Sequence, residues 1–336
     1  MGEKIVIAVD AMGGDNAPNE IIKGSVDSLE NQNIEIILLG NEEIINKQLS
    51  LYAYDQNRIR VVNTSEVIST SETPTTAIKK KKDSSLVVGL NLVKQNEAHA
   101  FVSAGNTGAI LAGATLIIGR LKGVERPTLA TLIPNKKGIS FLSDSGANVD
   151  TKPSHLVQFA KMGTIYMESV MNIKNPKVGL VNIGAEREKG NTLVKESYIL
   201  LEQQDINFVG NVEATEIPYG EVDIIVCDGF VGNVILKHSE GFAKMMLEMI
   251  KAELMADSAS KLGAILSKNA FKRVKKKFNA DEIGGAPFLG LKSLVVKAHG
   301  SSNHQAIKSA INQCVNFVDA DVINKISDKL SQSAVE

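Results

Sequence analysis

Ala98-His-Ala-Phe-Val-Ser-Ala-Gly-Asn-Thr-Gly-Ala-Ile-Leu-Ala-Gly-Ala-Thr-Leu-Ile-Ile-Gly119 decides the fold class of this chain. Ala100 to Val102 is a short apolar run that reads as a buried strand. It turns on Ser103-Ala-Gly-Asn-Thr-Gly108, and from Thr107 onward Ile110, Leu111, Ala114, Leu116 and Ile117 suit a helix packed tightly on both sides. A strand leading through a Gly-rich turn into a helix is the repeating unit of an α/β protein. The turn also suits an anion. Gly105 and Gly108 let backbone N–H groups approach a ligand, and the helix N-terminus adds partial positive charge. Ser103, Asn106 and Thr107 add neutral donors. The turn is neither G-x-G-x-x-G nor a P-loop. Two readings therefore stand: a phosphate or carboxylate site, or a strand–turn–helix whose small residues serve packing.

The same unit recurs along the chain. Ile5-Val-Ile-Ala-Val9 is apolar without alternation, as in a parallel sheet, and ends in Asp10-Ala-Met-Gly-Gly-Asp-Asn-Ala-Pro18, with Pro18 suited to a helix first turn. Further strands are predicted at 34–39, 58–62, 128–133, 139–142, 177–183, 206–209, 222–226 and 294–296, mostly with helices between them. The alternation predicts an α/β fold with a largely parallel sheet. No linker or clean boundary interrupts it, so residues 1–336 read as one catalytic unit. In open α/β sheets the ligand lies outside the carboxyl ends of the strands. Five such ends carry small and polar residues: 10–15, 103–108, 184–191, 228–233 and 298–301. Several such loops together point to one shared cleft.

Composition narrows the classes. A formal net charge of −1 argues against nucleic-acid binding by bulk charge, and the absence of Trp disfavours base or carbohydrate stacking. Two cysteines, Cys227 and Cys314, offer neither a disulfide framework nor metal spacing, as expected of a reducing cytosol. The N-terminus shows no signal-peptide pattern, and no apolar run reaches the ~18 residues of a membrane span. The expected location is cytoplasmic.

Within the loops, Lys189 stands beside Gly190 and Asn191 at a predicted helix start, where a cation and backbone N–H groups could face an anion. The alternative is an exposed lysine in a charged loop. Asp228 and Asn233 bracket Gly229 and Gly232, and Asp228 also suits a helix N-cap. His299 follows a strand and precedes Gly300-Ser-Ser, a position open to a cleft. No spacing among Asp10, Asp15, Asp144, Asp150 and Asp228 selects metal ligands. Cys227 reads as a small core residue, and no G-x-S-x-G elbow exists. Lys79 to Lys82 read either as a solvated helix end or as a dock for an acidic partner.

Asp10-Ala-Met-Gly-Gly-Asp-Asn-Ala-Pro18, Ser103-Ala-Gly-Asn-Thr-Gly-Ala109, Gly146-Ala-Asn-Val-Asp150, Lys189-Gly-Asn191, Asn211-Val-Glu-Ala214, Asp228-Gly-Phe-Val-Gly-Asn233 and Lys297-Ala-His-Gly-Ser-Ser302 resemble, in this order, the PlsX family of phosphate acyltransferases. The resemblance implies a three-layer α/β/α sandwich with a mixed sheet, intertwined subdomains and a homodimer, similar in fold to isocitrate and isopropylmalate dehydrogenases. It implies transfer of a long-chain acyl group from acyl carrier protein to inorganic phosphate. The acyl phosphate product would feed phospholipid synthesis and the membrane-bound glycerol-3-phosphate acyltransferase. No cofactor and no metal are expected, because phosphate itself attacks the thioester. The protein must hold phosphate and stabilise the tetrahedral oxyanion. Ser103, Gly105, Asn106, Thr107, Gly108, Gly190, Asn191 and Asn233 are the expected phosphate-binding residues, with Lys189, Asp228 and His299 as catalytic candidates. The alternatives are a short-chain phosphate acyltransferase using acyl-coenzyme A, a dehydrogenase on the related fold, and a non-catalytic lipid- or phosphate-binding protein.

Residues 258–278 form a basic amphipathic segment. Leu262, Ile265, Leu266 and Phe271 are its apolar part, and Lys268, Lys272, Arg273 and Lys275 to Lys277 its basic part. Three readings compete: a solvated helix with one core face, an interfacial element on anionic lipid, and a dock for the acidic carrier. The expectation is peripheral association with the inner face of the membrane through Leu262, Ile265 and Leu266, with Lys268, Lys272 and Arg273 serving lipid or carrier.

Overall fold

The computed structural model describes residues 4–30, 32–69, 71–277 and 284–332. Its elements run β1 (Ile5–Asp10), α1 (Asn19–Ser28), β2 (Ile34–Gly40), α2 (Glu42–Leu49), β3 (Ile59–Asn63), α3 (Pro74–Lys80), α4 (Ser85–Lys94), β4 (Ala100–Ser103) and α5 (Thr107–Ile117). The middle of the chain supplies β5 (Thr128–Leu129), β6 (Thr131–Asn135), β7 (Gly138–Ser143), α6 (Pro153–Ser169), β8 (Val178–Asn182), α7 (Thr192–Glu202), β9 (Phe208–Glu213) and β10 (Ile224–Val226). Then follow α8 (Gly229–Leu254), α9 (Ser258–Lys277), β11 (Ala286–Leu289), β12 (Leu294–Lys297), α10 (His304–Asp319) and α11 (Val322–Gln332).

The strands divide between two sheets. The first has the order β3-β2-β1-β4-β12-β11-β5, and the second β6-β7-β10-β8-β9. In the first, β1, β2, β3, β4 and β12 are parallel neighbours, while β11 joins antiparallel. In the second, β7, β10, β8 and β9 are parallel, with β6 antiparallel at the edge. The apolar runs Ile5–Val9, Ile34–Leu39 and Ala100–Val102 occupy central positions covered by helices on both faces, which is why they lack alternation. The chain builds most of the first sheet, crosses to build the second, and returns with β11 and β12.

The crossing lies between β5 and β6. The sequence predicts one strand over 128–133, but β5 belongs to the first sheet and β6 to the second, with Ala130 between. The crossing is stitched to the loop after β7. Thr128 Oγ1 and Ser143 Oγ lie 2.7 Å apart, as do Thr131 Oγ1 and Ser145 Oγ. The Ser145 N–H donates to the Leu129 carbonyl. A second difference is β11, which lies where no strand is predicted; Gly284, Gly285 and Pro287 break any strand pattern there.

One core spans the parts. Tyr166 of α6 packs on Phe141 of β7, ring centroids 5.4 Å apart, and on Phe317 of α10 at 6.2 Å. Its hydroxyl accepts from Gln313 Nε2. Each such buried aromatic contributes roughly 2–3 kcal/mol of transfer free energy. Helix α5 departs from the expectation of tight packing on both sides. Ala109, Ile110, Gly113 and Ala114 are buried, but Leu116 is 57% exposed and Thr107, Leu111 and Thr115 are half-buried.

The end of the chain's second sheet feeds a long arm. Of the 26 residues of α8 only Gly229 and Gly232 are buried. Through Val274, no described side chain of α9 is buried either, so within this chain α9 puts no face on the core. Leu262, Ile265 and Leu266 are 61%, 69% and 80% exposed. Lys268, Lys272 and Arg273 are exposed beside them, while Phe278 lies outside the described residues. Among the described residues, no helix is long and apolar enough to cross a membrane. The Lys79–Lys82 run ends α3, where Lys81 pairs with Glu72 at 2.8 Å and the Lys82 ammonium donates to the Ile78 carbonyl.

Candidate active site

The carboxyl ends of β1, β4 and β12 lie side by side, and their loops interlock. The register sets Lys297 of β12 opposite Ser103 of β4. The Ala298 N–H donates to the Ser103 carbonyl at 2.9 Å, and the Asp15 N–H to the Gly300 carbonyl at 2.8 Å. Asn16 Nδ2 donates to the carbonyls of Ser301 and Ser302. Beneath them, Asp10 is buried, accepting from Ser103 Oγ at 2.7 Å and from the Met12 N–H at 3.1 Å. Burial raises the Asp10 carboxyl above its ordinary value, against the hydrogen bonds that lower it.

This corrects two sequence assignments. Ser103 is buried and spends its proton on Asp10, while its oxygen accepts from the Gly105 N–H at 3.0 Å. Neither the Ser103 hydroxyl nor the Gly105 N–H is offered to a ligand; both brace the turn. Gly108 has a packing reason, since a Cβ there would stand 2.9 Å from Pro74 Cγ. What remains open is the head of α5. Asn106 caps it, its Oδ1 accepting from the Ala109 N–H at 2.9 Å. The N–H groups of Thr107 and Gly108 find no acceptor among the described residues. Asn106, Thr107 and Gly108 are half-exposed there.

The second sheet presents β7, β10 and β8 to the cleft. Asp144 after β7 is fully buried, and its carboxylate collects the N–H groups of Leu129, Gly146, Ala147 and Asn148 and the Asn148 amide. That ring of donors shapes the 144–148 loop as a seat for the head of α8. The Gly229 N–H donates to the Asn148 carbonyl at 2.7 Å. A Cβ at Gly232 would lie 1.9 Å from the Asp144 carbonyl. Asp228 is the N-cap of α8, its Oδ1 accepting from the Val231 N–H, so its capping reading holds and one carboxylate oxygen is occupied. Asn233 stands exposed over Gly146. Cys227 is buried, and burial pushes its thiol well above the usual range, as expected of a core residue.

One turn beyond Asn233, Lys237 reaches back to the first sheet. Its ammonium lies 3.1 Å from His299 Nε2 and 2.7 Å from Glu240. An ammonium only donates, so Nε2 accepts and the imidazole proton sits on Nδ1, shared with Ser301 Oγ at 2.9 Å. The 3.3 Å approach of the Ser301 N–H to Nδ1 is then a contact rather than a bond. Partial desolvation, then the Lys237 charge, holds His299 below the ordinary histidine value, which keeps it neutral at pH 7. Lys297 lies deeper. Burial, with Lys237 adding, lowers its ammonium to about 8, and Asp15 opposes the shift. The Lys297 Nζ also donates to the Ala298 carbonyl.

Lys189 is not part of this convergence. It is exposed, and no hydrogen bond or ion pair among the described residues ties it to the 103–108, 228–233 or 298–302 loops. Asn182 holds its loop, donating to the Lys189 carbonyl, and Gly190 takes a φ of +92° that a side chain resists. Asn191 caps α7. These residues share the carboxyl edge of the second sheet, on β8 beside β10, without reaching the cationic cluster. Lys237 and Lys297 are not among the predicted site residues, although Lys297 opens the Lys297-Ala-His-Gly-Ser-Ser302 motif. Lys237 is four residues from Asn233 on one helix face, a spacing visible in the sequence, but its meeting with His299 is not. Among the described residues, no group of three or more His, Cys, Asp or Glu could hold a metal.

The model of the fatty acid synthesis protein family matches residues 5–325. A phosphate acyltransferase of Clostridium tetani is 51% identical over 325 residues, covering 96% of this chain and 97% of that relative. The chain belongs to the PlsX phosphate acyltransferase family. It is an enzyme, an acyltransferase of fatty acid and phospholipid synthesis. Among solved structures, a phosphotransacetylase from Streptococcus pyogenes superposes with a TM-score of 0.64 at 16% identity, covering 96% of this chain and 95% of that one. A 4-hydroxythreonine-4-phosphate dehydrogenase from Klebsiella pneumoniae gives 0.51 at 10% identity, covering 93% and 99%. These two share the fold, and with it the predicted α/β class with dehydrogenase-like architecture is borne out.

Proposed function

We propose that this enzyme moves a long-chain fatty acyl group from acyl carrier protein to inorganic phosphate, giving acyl phosphate and the free carrier thiol. The observation that carries this reading is the cationic floor of the cleft. Lys297, Lys237 and neutral His299 stand beside the strand end that leads into the open head of α5. Phosphate rests on the two ammoniums, and one of its oxygens attacks the thioester carbonyl carbon. Charge gathers on the carbonyl oxygen, which the free N–H groups of Thr107 and Gly108 suit as an oxyanion site. Collapse breaks the carbon–sulfur bond and releases the thiolate. His299, hydrogen-bonded to Lys237 through Nε2 and to Ser301 through Nδ1, orients the Lys237 ammonium toward phosphate, and the departing thiolate takes its proton from water. Asp10, Ser103 and Gly105 hold the turn rigid. Palmitoyl-acyl carrier protein with phosphate and hydroxylamine should yield phosphate-dependent palmitoyl hydroxamate. Hydroxamate from acetyl-coenzyme A alone would reassign the enzyme to short-chain donors, and none from any donor would overturn the proposal.

The arm extends the same reading. Leu262, Ile265 and Leu266 expose apolar area next to Lys268, Lys272 and Arg273, the combination that seats a helix in anionic lipid while steering an acidic carrier. We take the enzyme as cytoplasmic, peripheral on the inner membrane face, and close to the membrane-bound glycerol-3-phosphate acyltransferase that would use its product. Phe242, Met245 and Met249, at helical spacing along α8 and 53%, 44% and 56% exposed, suit a second copy and so a homodimer. Leu262→Glu/Leu266→Glu should abolish flotation with phosphatidylglycerol liposomes while the purified protein keeps its melting temperature. Equal flotation of variant and parent would remove these leucines from membrane binding.

A further inference from the structure

A second concavity flanks the cleft. It measures about 490 Å³ and lies against the outer stripe of α5, the connector after that helix, and the first turn of α6. Leu111 and Thr115 form one wall, Asn148 another, and Arg120, Arg126 and Lys152 the rim. None of the three cations belongs to the phosphate floor described above.

Its charge is unbalanced. Glu125 is the acidic residue of the lining, and it is already engaged: its Oε2 lies 3.2 Å from His155 Nε2 and accepts from Ser154 Oγ. His155 is buried, and burial lowers it below the ordinary histidine value, so it adds no charge at pH 7. The Arg120 guanidinium donates to the Glu125 carbonyl rather than to a carboxylate. Arg126 and Lys152 are exposed and have no ion-pair partner among the described residues. The positive end of α6, a helix of 17 residues, opens at Pro153 beside them. Arginines set around a concavity with apolar flanks fit a bidentate anion carried on a longer, partly apolar chain.

The pocket is joined to the reacting centre by one helix face. Thr107, Leu111 and Thr115, four residues apart, form the half-buried stripe of α5 that runs from its open head to the pocket. At ~1.5 Å per residue the stripe is about 12 Å long. Asn148 walls the pocket on one side and carries the head of α8 on the other. The stripe offers a continuous path from the head of α5 to the pocket.

We propose that the pocket holds the 4′-phosphate of a 4′-phosphopantetheine arm, with Arg126 and Lys152 as its principal ligands and Arg120 in support. This rests on the reading that the acyl donor is a pantetheine thioester. The arm belongs either to a carrier protein or to coenzyme A, and the pocket reads the part they share. The pantetheine chain lies along Thr115 and Leu111, and the thioester reaches Thr107. The pocket thus measures the donor, while the cationic floor serves the acceptor.

The test separates these roles. Binding of free 4′-phosphopantetheine and of dephosphorylated pantetheine is measured calorimetrically on the full-length protein, without turnover. The parent should bind the phosphorylated form at least about tenfold more tightly, and Arg126→Ala and Lys152→Ala should each remove most of that difference, as expected for a charge-assisted contact. Equal affinity of the parent for both compounds, or an unchanged preference in both variants, overturns the proposal. In turnover, Arg126→Ala should raise KM for palmitoyl-acyl carrier protein and for palmitoyl-coenzyme A about tenfold, while KM for inorganic phosphate and the rate with palmitoyl-pantetheine stay unchanged. A rise confined to the carrier substrate would assign Arg126 to the carrier's protein surface and overturn the pocket assignment. Absence of acyl phosphate from every donor with the parent would count against the proposed activity, whereas the calorimetry judges the pocket independently.

Discussion

Lys297→Met should lower kcat/KM for phosphate by about 10²–10³-fold and at the same time raise the melting temperature by several degrees. The loss follows from its position. Lys297 lies at the strand end opposite Ser103, within the field of Lys237 and close to Asp15, where a dianion would find the deepest cation of the cleft. Removing one preorganised stabilising group from a catalytic site costs about that factor. The gain in stability has the opposite origin. Folding takes the Lys297 ammonium from its ordinary 10.5 to about 8, mainly by burial. That corresponds to about 3 kcal/mol held against the charged form at neutral pH. Below pH 8 both folded and unfolded chains carry the proton and the penalty is present in full. Between pH 8 and 10.5 the folded chain releases it first, so the parent's stability rises relative to Lys297→Met. The difference in melting temperature should therefore be largest at pH 7 and shrink by pH 10. The parent's KM for phosphate should climb as pH rises through about 8. A Met variant with the parent's KM for phosphate would remove Lys297 from the acceptor site, whatever its stability.

Gly232→Ala should destabilise the protein by about 3 kcal/mol or more and reduce activity at least about a hundredfold. The added methyl would sit 1.9 Å from the Asp144 carbonyl and 3.0 Å from Cys227 Sγ. The obstacle is backbone, and it cannot drift aside, because the Asp144 carboxylate is bound by donors of four residues. Overpacking against such a wall costs a few kcal/mol and displaces the helix. The head of α8 would lift, carrying Asn233 and Lys237 with it, and a shift of about 1 Å near a reacting centre costs about 10² in rate. Gly241→Ala, on the same helix with nothing within 4 Å of its Cβ, provides the control. It should be neutral or stabilising by up to about 1 kcal/mol. Similar melting temperatures for the two variants would show that α8 is not seated on the Asp144 loop.

Much of the fold was legible because it is written in local patterns. The unalternating runs at Ile5 and Ile34, the cap residues Asn106, Asn191 and Asp228, and the Gly-rich strand ends each report a short-range preference. The two misreadings have local causes too. Thr128 to Ile133 is continuous in composition, so nothing in it marks the step from one sheet to the other at Ala130. Ala286–Leu289 contains Pro287 and follows two glycines, which hid an antiparallel strand whose partners lie elsewhere in the chain.

The site was legible only in outline. Asn106, Thr107, Asn233 and His299 stand around the cleft, whereas Ser103 and Gly105 turned out to brace it. Lys189, a cation beside Gly-Asn at a helix start, has a local sequence that suits an anion. It remains on its own strand edge because β8 lies beyond β10 in the second sheet. Lys297 opens the Lys297-Ala-His-Gly-Ser-Ser302 motif and Lys237 follows Asn233 by four residues, but lysines are usually solvated, and nothing local says that these two meet.

By itself the sequence determined the α/β class, the polar carboxyl ends of the strands, and a basic stretch with an apolar stripe, because each depends on neighbours within a few residues. The tertiary structure alone decided which cations meet. Lys237 touches His299 across 62 positions, and Lys297 loses much of its preference for the proton through burial that only the packed fold creates. Convergence of charge depends on strand order and distance in space, and neither is encoded in any single stretch of the chain.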